Sequence, residues 1–298
     1  MRTQSIWGVL LLFCVGSRLG TAIFYIEDLD SLRFALSMIE YDVAKLQPHF
    51  PAYPVFWLTA KALYLAIDHY TIAFSLIGGL STWLIIYFTT AFARVEITSV
   101  AGAVLALLLL FNPMLWLMGN RYMPDAMGVA FVMAVYWLVA DRADHIALLG
   151  FAVAGLSLGV RLSYAPILLP PLFIRWMQGG GRLRLKLALV GTVGVLAWLV
   201  PLIAATGWQD LITAAKTQTT GHFTDFGGTI STERHLGERV SRLLEGMWAD
   251  GFGLYWPGRD PSTAFAALGL MVVLTAGRQP LVERLYLRNL LSIPVLGC

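Results

Sequence analysis

Residues 185–206, LKLALVGTVGVLAWLVPLIAAT, decide the fold class of this chain. The stretch holds one charged residue, Lys186, and as an α-helix with a rise of about 1.5 Å per residue it would be roughly 30 Å long. That length matches the hydrocarbon core of a bilayer. Comparable apolar blocks of about 15–24 residues recur along the chain, over residues 5–24, 51–67, 70–92, 97–118, 124–140, 146–160, 163–176 and 262–276.

The composition excludes an ordinary water-soluble domain. Of the 298 residues, 58% are hydrophobic and only 13% are charged, whereas soluble domains carry roughly 25% charged residues. The net charge of +3 is too small to indicate a nucleic-acid partner. Because the composition is so apolar, membrane lipids are the expected surroundings. We therefore predict an all-α fold, a polytopic membrane helix bundle of about 8–10 spans.

The chain is predicted to form one domain. We expect a transmembrane domain over residues 1–276, with external loops at about 25–50 and 207–261, and a short basic tail over 277–298; a truncated chain is one expectation for this end. Arg2 is expected inside, and the same side is expected for the tail arginines Arg278, Arg284 and Arg288. The strongest positive-inside signal is the basic cluster Arg175, Arg182, Arg184 and Lys186, which places that loop in the cytoplasm.

Counting spans from this cluster and from the N-terminus gives totals that disagree by one crossing between Pro51 and Arg94. The backward count places Arg142 and Arg94 inside. Gly78 and Gly79 weaken the middle of the 70–92 block, so a helix break there is the expected remedy. The topology then places most of the notable polar residues outside: Asp28, Asp30, Arg33, His49, Arg121, Asp125 and Arg161.

The first external loop begins with a helical pattern. Apolar residues three or four apart form one stripe, and polar residues at the same spacing form the other face. We expect a helix along the membrane surface, with the polar face toward water. Its members are Leu29, Leu32, Leu36, Ile39, Val43 and Leu46 on the apolar side and Asp30, Arg33, Ser37 and Glu40 on the polar side.

Three carboxylates lie where the first span leaves the bilayer: Glu27, Asp28 and Asp30. Carboxylates this close raise one another's pKa unless a cation compensates, which suits a general base or a divalent metal with oxygen ligands. A solvated ion pair between Asp30 and Arg33, one turn apart, explains the pattern equally well. The proline-rich segment 47–54, QPHFPAYP, then fixes where His49 points; a purely structural His is the alternative.

Two more arginine and aspartate positions stand out. Asp125 follows Pro124 at the expected start of a helix, where the helix dipole favours a carboxylate; a helix-starting Asp without function is the alternative. Arg161 lies in an apolar stretch and needs a carboxylate, a cavity or a lipid phosphate, unless it reaches the membrane surface. The nearby Tyr164 favours a phosphate contact. Arg18, near the end of the first span, is expected to extend to the membrane surface.

Residues 30–34, DSLRF, followed by 47–54, QPHFPAYP, resemble the first external loop of GT-C membrane glycosyltransferases. These include protein mannosyltransferases, the aminoarabinose transferase of lipid A and bacterial relatives with a His-Pro-Pro-Gly-Tyr-Pro signature, of glycosyltransferase family 39 type. Phe50 and Ala52 replace the usual Pro and Gly. The turn 121–125, RYMPD, is similar to a family turn in which an Asp faces the active-site cavity.

This resemblance implies a function and a set of site residues. It implies an inverting transfer of a sugar from a polyprenyl-phosphate donor to a lipid, glycan or protein acceptor, on the outer face of what would be a bacterial cytoplasmic (inner) membrane. Asp30, with Asp28, would be catalytic, and Asp30 and His49 would hold a divalent metal ion if one is bound. The expected substrate-binding residues are Arg33, His49, Arg121, Asp125, Arg161 and Tyr164.

Other function classes remain open from the sequence. A transporter or lipid flippase would favour charges near mid-membrane and broken helices in matched repeats, whereas here the charges cluster at one edge. A non-enzymatic scaffold or an inactive, truncated transferase is the remaining alternative. The 207–261 loop contains His222, Asp225, Glu233 and Arg234, without a spacing specific enough to assign roles.

Overall fold

A computed structural model describes residues 3–140, 143–221, 224 and 235–276. Helix makes up 78% of this part of the chain and no strand occurs in it, which confirms the all-α prediction. The helices are α1 (Thr3–Gly20), α2 (Leu29–Ser37), α3 (Pro54–Ile67), α4 (Tyr70–Phe92), α5 (Val100–Leu110), α6 (Pro113–Asn120), α7 (Asp125–Val139), α8 (Asp144–Val160), α9 (Ala165–Gln178), α10 (Gly181–Thr206), α11 (Trp208–Thr220), α12 (Leu236–Glu245) and α13 (Thr263–Ala276). A 3₁₀ turn, Leu162–Tyr164, precedes α9, and a π-helical turn, Gly246–Asp250, follows α12.

Two helices of the described chain, α4 and α10, are long and apolar enough to cross a membrane. The pair α5 and α6, bent by 53° at its break, makes a third if it is one interrupted span. The helices α3, α7 and α8 are apolar but shorter. The chain divides into two compact units, one of residues 1–111 and 115–233 and the other of residues 112–114 and 234–298.

The first unit has two ends, which contacts along α1 and α4 define. Trp83 in α4 donates its indole N–H to the carbonyl of Trp7, near the start of α1, at 3.1 Å. Phe24, which follows α1, packs its ring on His69, which precedes α4, with centroids 5.6 Å apart. The two helices are therefore antiparallel. We call the end where α1 finishes and α4 begins the Asp30 end.

The helix α3 both begins and ends at the Asp30 end. Its N-cap, Tyr53, is hydrogen-bonded to His49, and its last residue is followed by Asp68 and then His69. It is 14 residues long, or about 21 Å at 1.5 Å per residue, which is short for a membrane crossing. The two span counts based on the sequence disagreed by one crossing between Pro51 and Arg94. The block at residues 51–67 accounts for this difference, because α3 does not cross the bundle.

The expected break at Gly78 and Gly79 is wrong, because α4 is one continuous helix. Both glycines are needed for close packing instead. A Cβ on Gly78 would lie 1.6 Å from the carbonyl oxygen of Gly119, and one on Gly79 would lie 2.7 Å from the Cα of Val15. Small residues allow membrane helices to approach at their backbones, and here α4 packs on both α1 and α6.

The helix α2 departs from the prediction in length and in its buried face. It ends at Ser37, with Asp28 as its N-cap. Ser31, Phe34, Ala35 and Ser37 are buried against the bundle. The leucine stripe faces outward, with Leu29 and Leu32 among the exposed residues. An apolar stripe beside a membrane need not pack on protein, so the exposed leucines are compatible with the predicted membrane-facing stripe, whereas Ser37, expected on the water side, is buried.

Arg18 does not extend to the membrane surface as predicted. Its side chain is fully buried, donates to Thr82 at 3.4 Å and to the carbonyl of Leu110 at 3.5 Å, and stacks over Trp116 at 4.0 Å. Leu110 is the last residue of α5, where helix carbonyls lack intrahelical partners and the dipole favours a cation. Arg18 thus stabilises the break between α5 and α6.

The later helices of the first unit alternate between its two ends. Asp125 and Arg161, at the start of α7 and the end of α8, are paired at the Asp30 end. Arg175 near the end of α9 donates to Asp144 at the start of α8, at 2.7 Å and at the opposite end. The helix α10 returns to the Asp30 end, where Leu202 packs with Ala52. Arg2 and Arg142, which entered the topology prediction, lie outside the described residues, as do Arg278, Arg284 and Arg288.

Candidate functional site

The first group of site residues forms around Asp30 at the start of α2. Arg33, one helical turn later, pairs with the Asp30 Oδ1 at 3.1 Å. The same oxygen lies 3.5 Å from Nδ1 of His49. The Asp30 side chain is 41% exposed, while that of His49 is only 7% exposed. Asp30 therefore combines an ion pair with an accessible carboxylate, and a surface-type ion pair contributes only about 0–1 kcal/mol to stability.

A buried hydrogen bond extends this group to Tyr53. The His49 Nε2 and the Tyr53 hydroxyl are 3.0 Å apart, and the His49 tautomer decides which of them donates. Tyr53 is buried, and its ring packs on Phe34 with centroids 5.1 Å apart. Both Ala52 (φ 70°) and Tyr53 (φ 47°) adopt the left-handed conformation, which is unfavourable for residues with a Cβ. The segment 47–54 thus holds Tyr53 in a conformation that surrounding contacts must stabilise.

The second group lies where α7 begins and α8 ends. The Arg161 Nη1 and the Asp125 Oδ2 are 2.9 Å apart. The Tyr164 hydroxyl donates to the backbone carbonyl of Asp125 at 3.4 Å, and the Arg161 guanidinium lies 5.6 Å from the centre of the Tyr164 ring. Burial and, to a smaller extent, the Asp125 carboxylate raise the pKa of Tyr164 to about 12, and the charge of Arg161 opposes them. Gly128 leaves room for this ring, since a Cβ there would lie 2.4 Å from Tyr164.

Tyr53 links the two groups. Burial raises the pKa of the Tyr53 phenol to about 12; the charge of Arg161 lowers it, and the carboxylates of Asp30 and Asp125 raise it. Charges from both groups therefore act on this single hydroxyl, which keeps its proton at neutral pH. Asp30 and Asp125 are about 95 positions apart along the chain, and the sequence gives no sign that residues at this separation are neighbours. The fold brings both to the Asp30 end.

The third group joins the loop after α1 to the turn before α7. Arg121 forms an ion pair with Asp28, and its Nε lies 3.3 Å from Glu27. The other oxygen of Asp28 accepts from the backbone N–H of Ser31 at 2.7 Å, which caps α2. The structure thus places Arg121 and Asp28 together, and the contacts of Asp28 are those of a helix cap and an ion-pair partner. Tyr122 adds a hydrogen bond to the carbonyl of Ile23.

The possible metal ligands can be tested against these contacts. Asp30 and His49 are close enough to share an ion, yet Arg33 occupies the same oxygen of Asp30. Within the described ranges no group of three or more His, Cys, Asp or Glu side chains is placed to hold a metal ion. Mg²⁺ keeps several waters and can be bound through one or two carboxylates together with substrate phosphates, so a divalent ion at Asp30 and His49 stays a prediction.

Tyr53 is the site residue that sequence reasoning missed. The sequence shows it only as one of the residues between the prolines of segment 47–54, and its connection to Asp125 and Arg161 depends on tertiary packing. Of the polar residues in the 207–261 loop, His222, Asp225, Glu233 and Arg234 lie outside the described residues.

The chain was compared with protein-family models, with curated proteins and with solved structures, and no match was found in any of the three. The functional interpretation therefore depends on the side-chain geometry and on the short motifs of the first loop.

Proposed function

We propose that this chain is an inverting membrane glycosyltransferase of GT-C type, which moves a sugar from a polyprenyl-phosphate donor to a hydroxyl acceptor. The observation that carries the proposal is the shared region around Tyr53. Tyr53 and Phe34 pack in one buried cluster with Val160, the residue before Arg161, so the accessible carboxylate of Asp30 and the Asp125–Arg161 ion pair lie at the same end of the bundle. An accessible base and cationic side chains are the groups that such a transfer needs.

In the proposed step, an acceptor hydroxyl oxygen forms a bond to the anomeric carbon of the sugar. The bond between that carbon and the phosphate oxygen breaks, and the polyprenyl phosphate leaves with the electron pair. Asp30 takes the acceptor proton, as a general base does. Arg33 and Arg161 stabilise the negative charge that develops on the departing phosphate, where preorganised cations lower the barrier.

The remaining site residues bind and orient in this proposal. The Asp125 carboxylate accepts hydrogen bonds from sugar or acceptor hydroxyls. The Tyr164 hydroxyl donates to the backbone carbonyl of Asp125 and so helps to position this residue. His49 holds Asp30 in place from the buried side. Arg121 binds the loop after α1 to the turn before α7 and so fixes the mouth of the site. The acceptor would reach Asp30 from the exposed side of α2.

The experiment uses the purified chain in lipid nanodiscs with polyprenyl-phosphate sugars, and it measures sugar transfer and donor hydrolysis. We expect Asp30→Asn to abolish transfer while the folded fraction in size-exclusion chromatography is unchanged, because the amide cannot accept the proton. Glu40→Gln is the matched control, since Glu40 is an exposed carboxylate near α2 with an ion pair to Lys45 at 2.5 Å. Normal turnover by Asp30→Asn would remove this mechanism.

A lipid transporter or flippase is the second candidate, and one observation favours it. The broken pair α5 and α6, with the buried Arg18 at its break, resembles the interrupted helices of transporters, whose half-helix ends bind ions or substrates. Movement of a fluorescent lipid phosphate across vesicles containing the protein, without sugar transfer, would support this candidate over the transferase.

A further inference from the structure

The C-terminal end of α2 is bound by two side chains of α3. The last carbonyls of a helix have no partner within the helix and need donors from elsewhere. The carbonyl of Ser37, the last residue of α2, accepts from the indole N–H of Trp57 at 2.9 Å. The carbonyl of Met38, the next residue, accepts from the Nζ of Lys61. Trp57 and Lys61 are four residues apart, so they lie on one face of α3.

The carbonyls that precede these two are satisfied locally. The Ser37 hydroxyl donates to the carbonyl of Phe34 at 2.7 Å. The backbone N–H groups of residues 38–40 donate to the carbonyls of Ala35 and Leu36. The donors from α3 therefore complete the set at this end. The helix α2 has only nine residues, and helices shorter than about 12–15 residues are marginal by themselves, so α2 depends on such partners.

The other end of α2 carries the proposed base. Asp30 lies in the first turn, directly after the N-cap Asp28 and Leu29. The segment that begins α3 reaches this end as well, because Tyr53, the N-cap of α3, is hydrogen-bonded to His49. The Nδ1 of His49 is 3.5 Å from the Asp30 carboxylate. The helix α3 and its N-cap are thus connected to both ends of α2.

Between its two ends, α2 packs against α3 through a buried contact. The rings of Phe34 and Phe56 are perpendicular, with centroids 5.4 Å apart. Met38 and Ala60 belong to the same cluster, and none of these four residues is more than 1% exposed. Because closely packed surfaces of this kind transmit displacements, a shift at the C-terminal end of α2 also moves its first turn.

We infer that Trp57 and Lys61 are positioning residues for the transferase reaction. By holding the C-terminal end of α2, they set where the Asp30 carboxylate lies relative to His49 and the acceptor. A cation at a helix C-terminus also interacts favourably with the helix dipole, and the Lys61 ammonium lies 5.2 Å from the centre of the Tyr64 ring, one turn further along α3. This inference rests on the proposed function, in which Asp30 is the base.

The test uses the full-length chain in nanodiscs and measures sugar transfer together with hydrogen–deuterium exchange of the α2 backbone amides. Trp57→Phe removes the indole N–H and keeps an aromatic ring against Tyr41, whose ring centre is 4.3 Å away. Lys61→Met removes the amino group and keeps a long side chain, whereas Lys61→Arg keeps a cationic donor. Trp83→Phe is the matched control, because it also removes an indole hydrogen bond to a carbonyl, that of Trp7, at the opposite end of the bundle.

We expect Trp57→Phe and Lys61→Met each to lower kcat per donor-binding site by about tenfold, because a displaced base slows the chemical step. The KM for the donor should stay within a factor of about two, since uniform binding is unchanged. The α2 amides should exchange about tenfold faster, because a lost capping hydrogen bond makes local opening easier. Lys61→Arg should keep both values close to those of the wild type, and Trp83→Phe should change neither.

Unchanged α2 exchange in Trp57→Phe and Lys61→Met would overturn the inference, because other contacts would then hold the helix. Faster exchange with an unchanged kcat would also overturn it, because the placement of Asp30 would then not depend on this end of α2. In both cases the wild-type chain still transfers sugar, and the proposed function stands. A wild-type chain that transfers no sugar would overturn the proposed function itself, and the positioning role with it.

Discussion

At the scale of single residues, the decisive feature is a tyrosine that lies within the first-loop motif but to which the sequence assigned no role. Tyr53 occupies a left-handed backbone conformation, and its hydroxyl meets His49 while charges from both carboxylate–arginine pairs act on it. Such strained positions persist only where surrounding contacts fix them, and they concentrate at functional sites. The candidate residues Asp30, Arg33 and His49 could be proposed from the sequence, because they are close in one loop.

Tyr53→Phe should slow sugar transfer by about three- to tenfold, the equivalent of one hydrogen bond of about 0.5–1.5 kcal/mol. The ring and its packing on Phe34 are retained. The loss of rate would therefore come from the missing hydrogen bond to the Nε2 of His49, which would leave the His49 ring less well positioned. The measurement is kcat and KM for the donor, with kcat as the parameter expected to fall.

Tyr136→Phe is the control for this change. It also removes a hydroxyl hydrogen bond, the one to the carbonyl of Ile167 at 3.0 Å, and Tyr136 lies eleven residues after Asp125 in α7. A Tyr53→Phe variant with the same kcat as Tyr136→Phe would contradict a positioning role for Tyr53.

At the scale of helices, the length of each apolar block predicted where helices occur, but it did not predict which helices cross the bundle or what they pack against. The 51–67 block is apolar enough to look like a crossing, yet α3 starts and ends at the same end of the bundle. The partners of Arg18 lie 64 and 92 residues further along the chain, so its burial could not be read from neighbouring positions. The glycine pair in α4 was interpreted as a weakness because its packing partners were unknown.

Gly78→Ala should destabilise the protein. Its new Cβ would overlap the carbonyl oxygen of Gly119 at 1.6 Å, and relieving such overpacking costs about 1–3 kcal/mol. We expect a lower thermal unfolding temperature in detergent, measured by the loss of monodisperse protein after heating.

Gly16→Ala is the matched control in the neighbouring helix α1. A Cβ there meets nothing within 4 Å, and replacing a helical Gly by Ala favours the helix by about 0.5–1 kcal/mol. This variant should unfold at the same temperature or slightly higher. Equal destabilisation by the two variants would show that the close approach of α4 to Gly119 does not stabilise the bundle.

At the scale of the whole molecule, the first unit brings its candidate site residues to one end. The helices that separate Asp30 from Asp125 pass from that end to the other and back, and α3 stays at the Asp30 end. The ion pair between Arg121 and the carboxylates after α1 holds the two loops together. The topology rules predicted one common side for these residues, and the first unit brings them to one end; which side of a membrane that end faces stays a prediction.

The most direct measurement of this arrangement is the sidedness of single cysteines in sealed membrane vesicles of known orientation. Exposed positions are available at Glu40, Asp68 and Ser163 for the Asp30 end, and at His145 for the opposite end. A membrane-impermeant maleimide should label Glu40→Cys, Asp68→Cys and Ser163→Cys from one side, and His145→Cys only from the other. Labelling of Glu40→Cys and Ser163→Cys from opposite sides would contradict a shared site for Asp30 and Asp125.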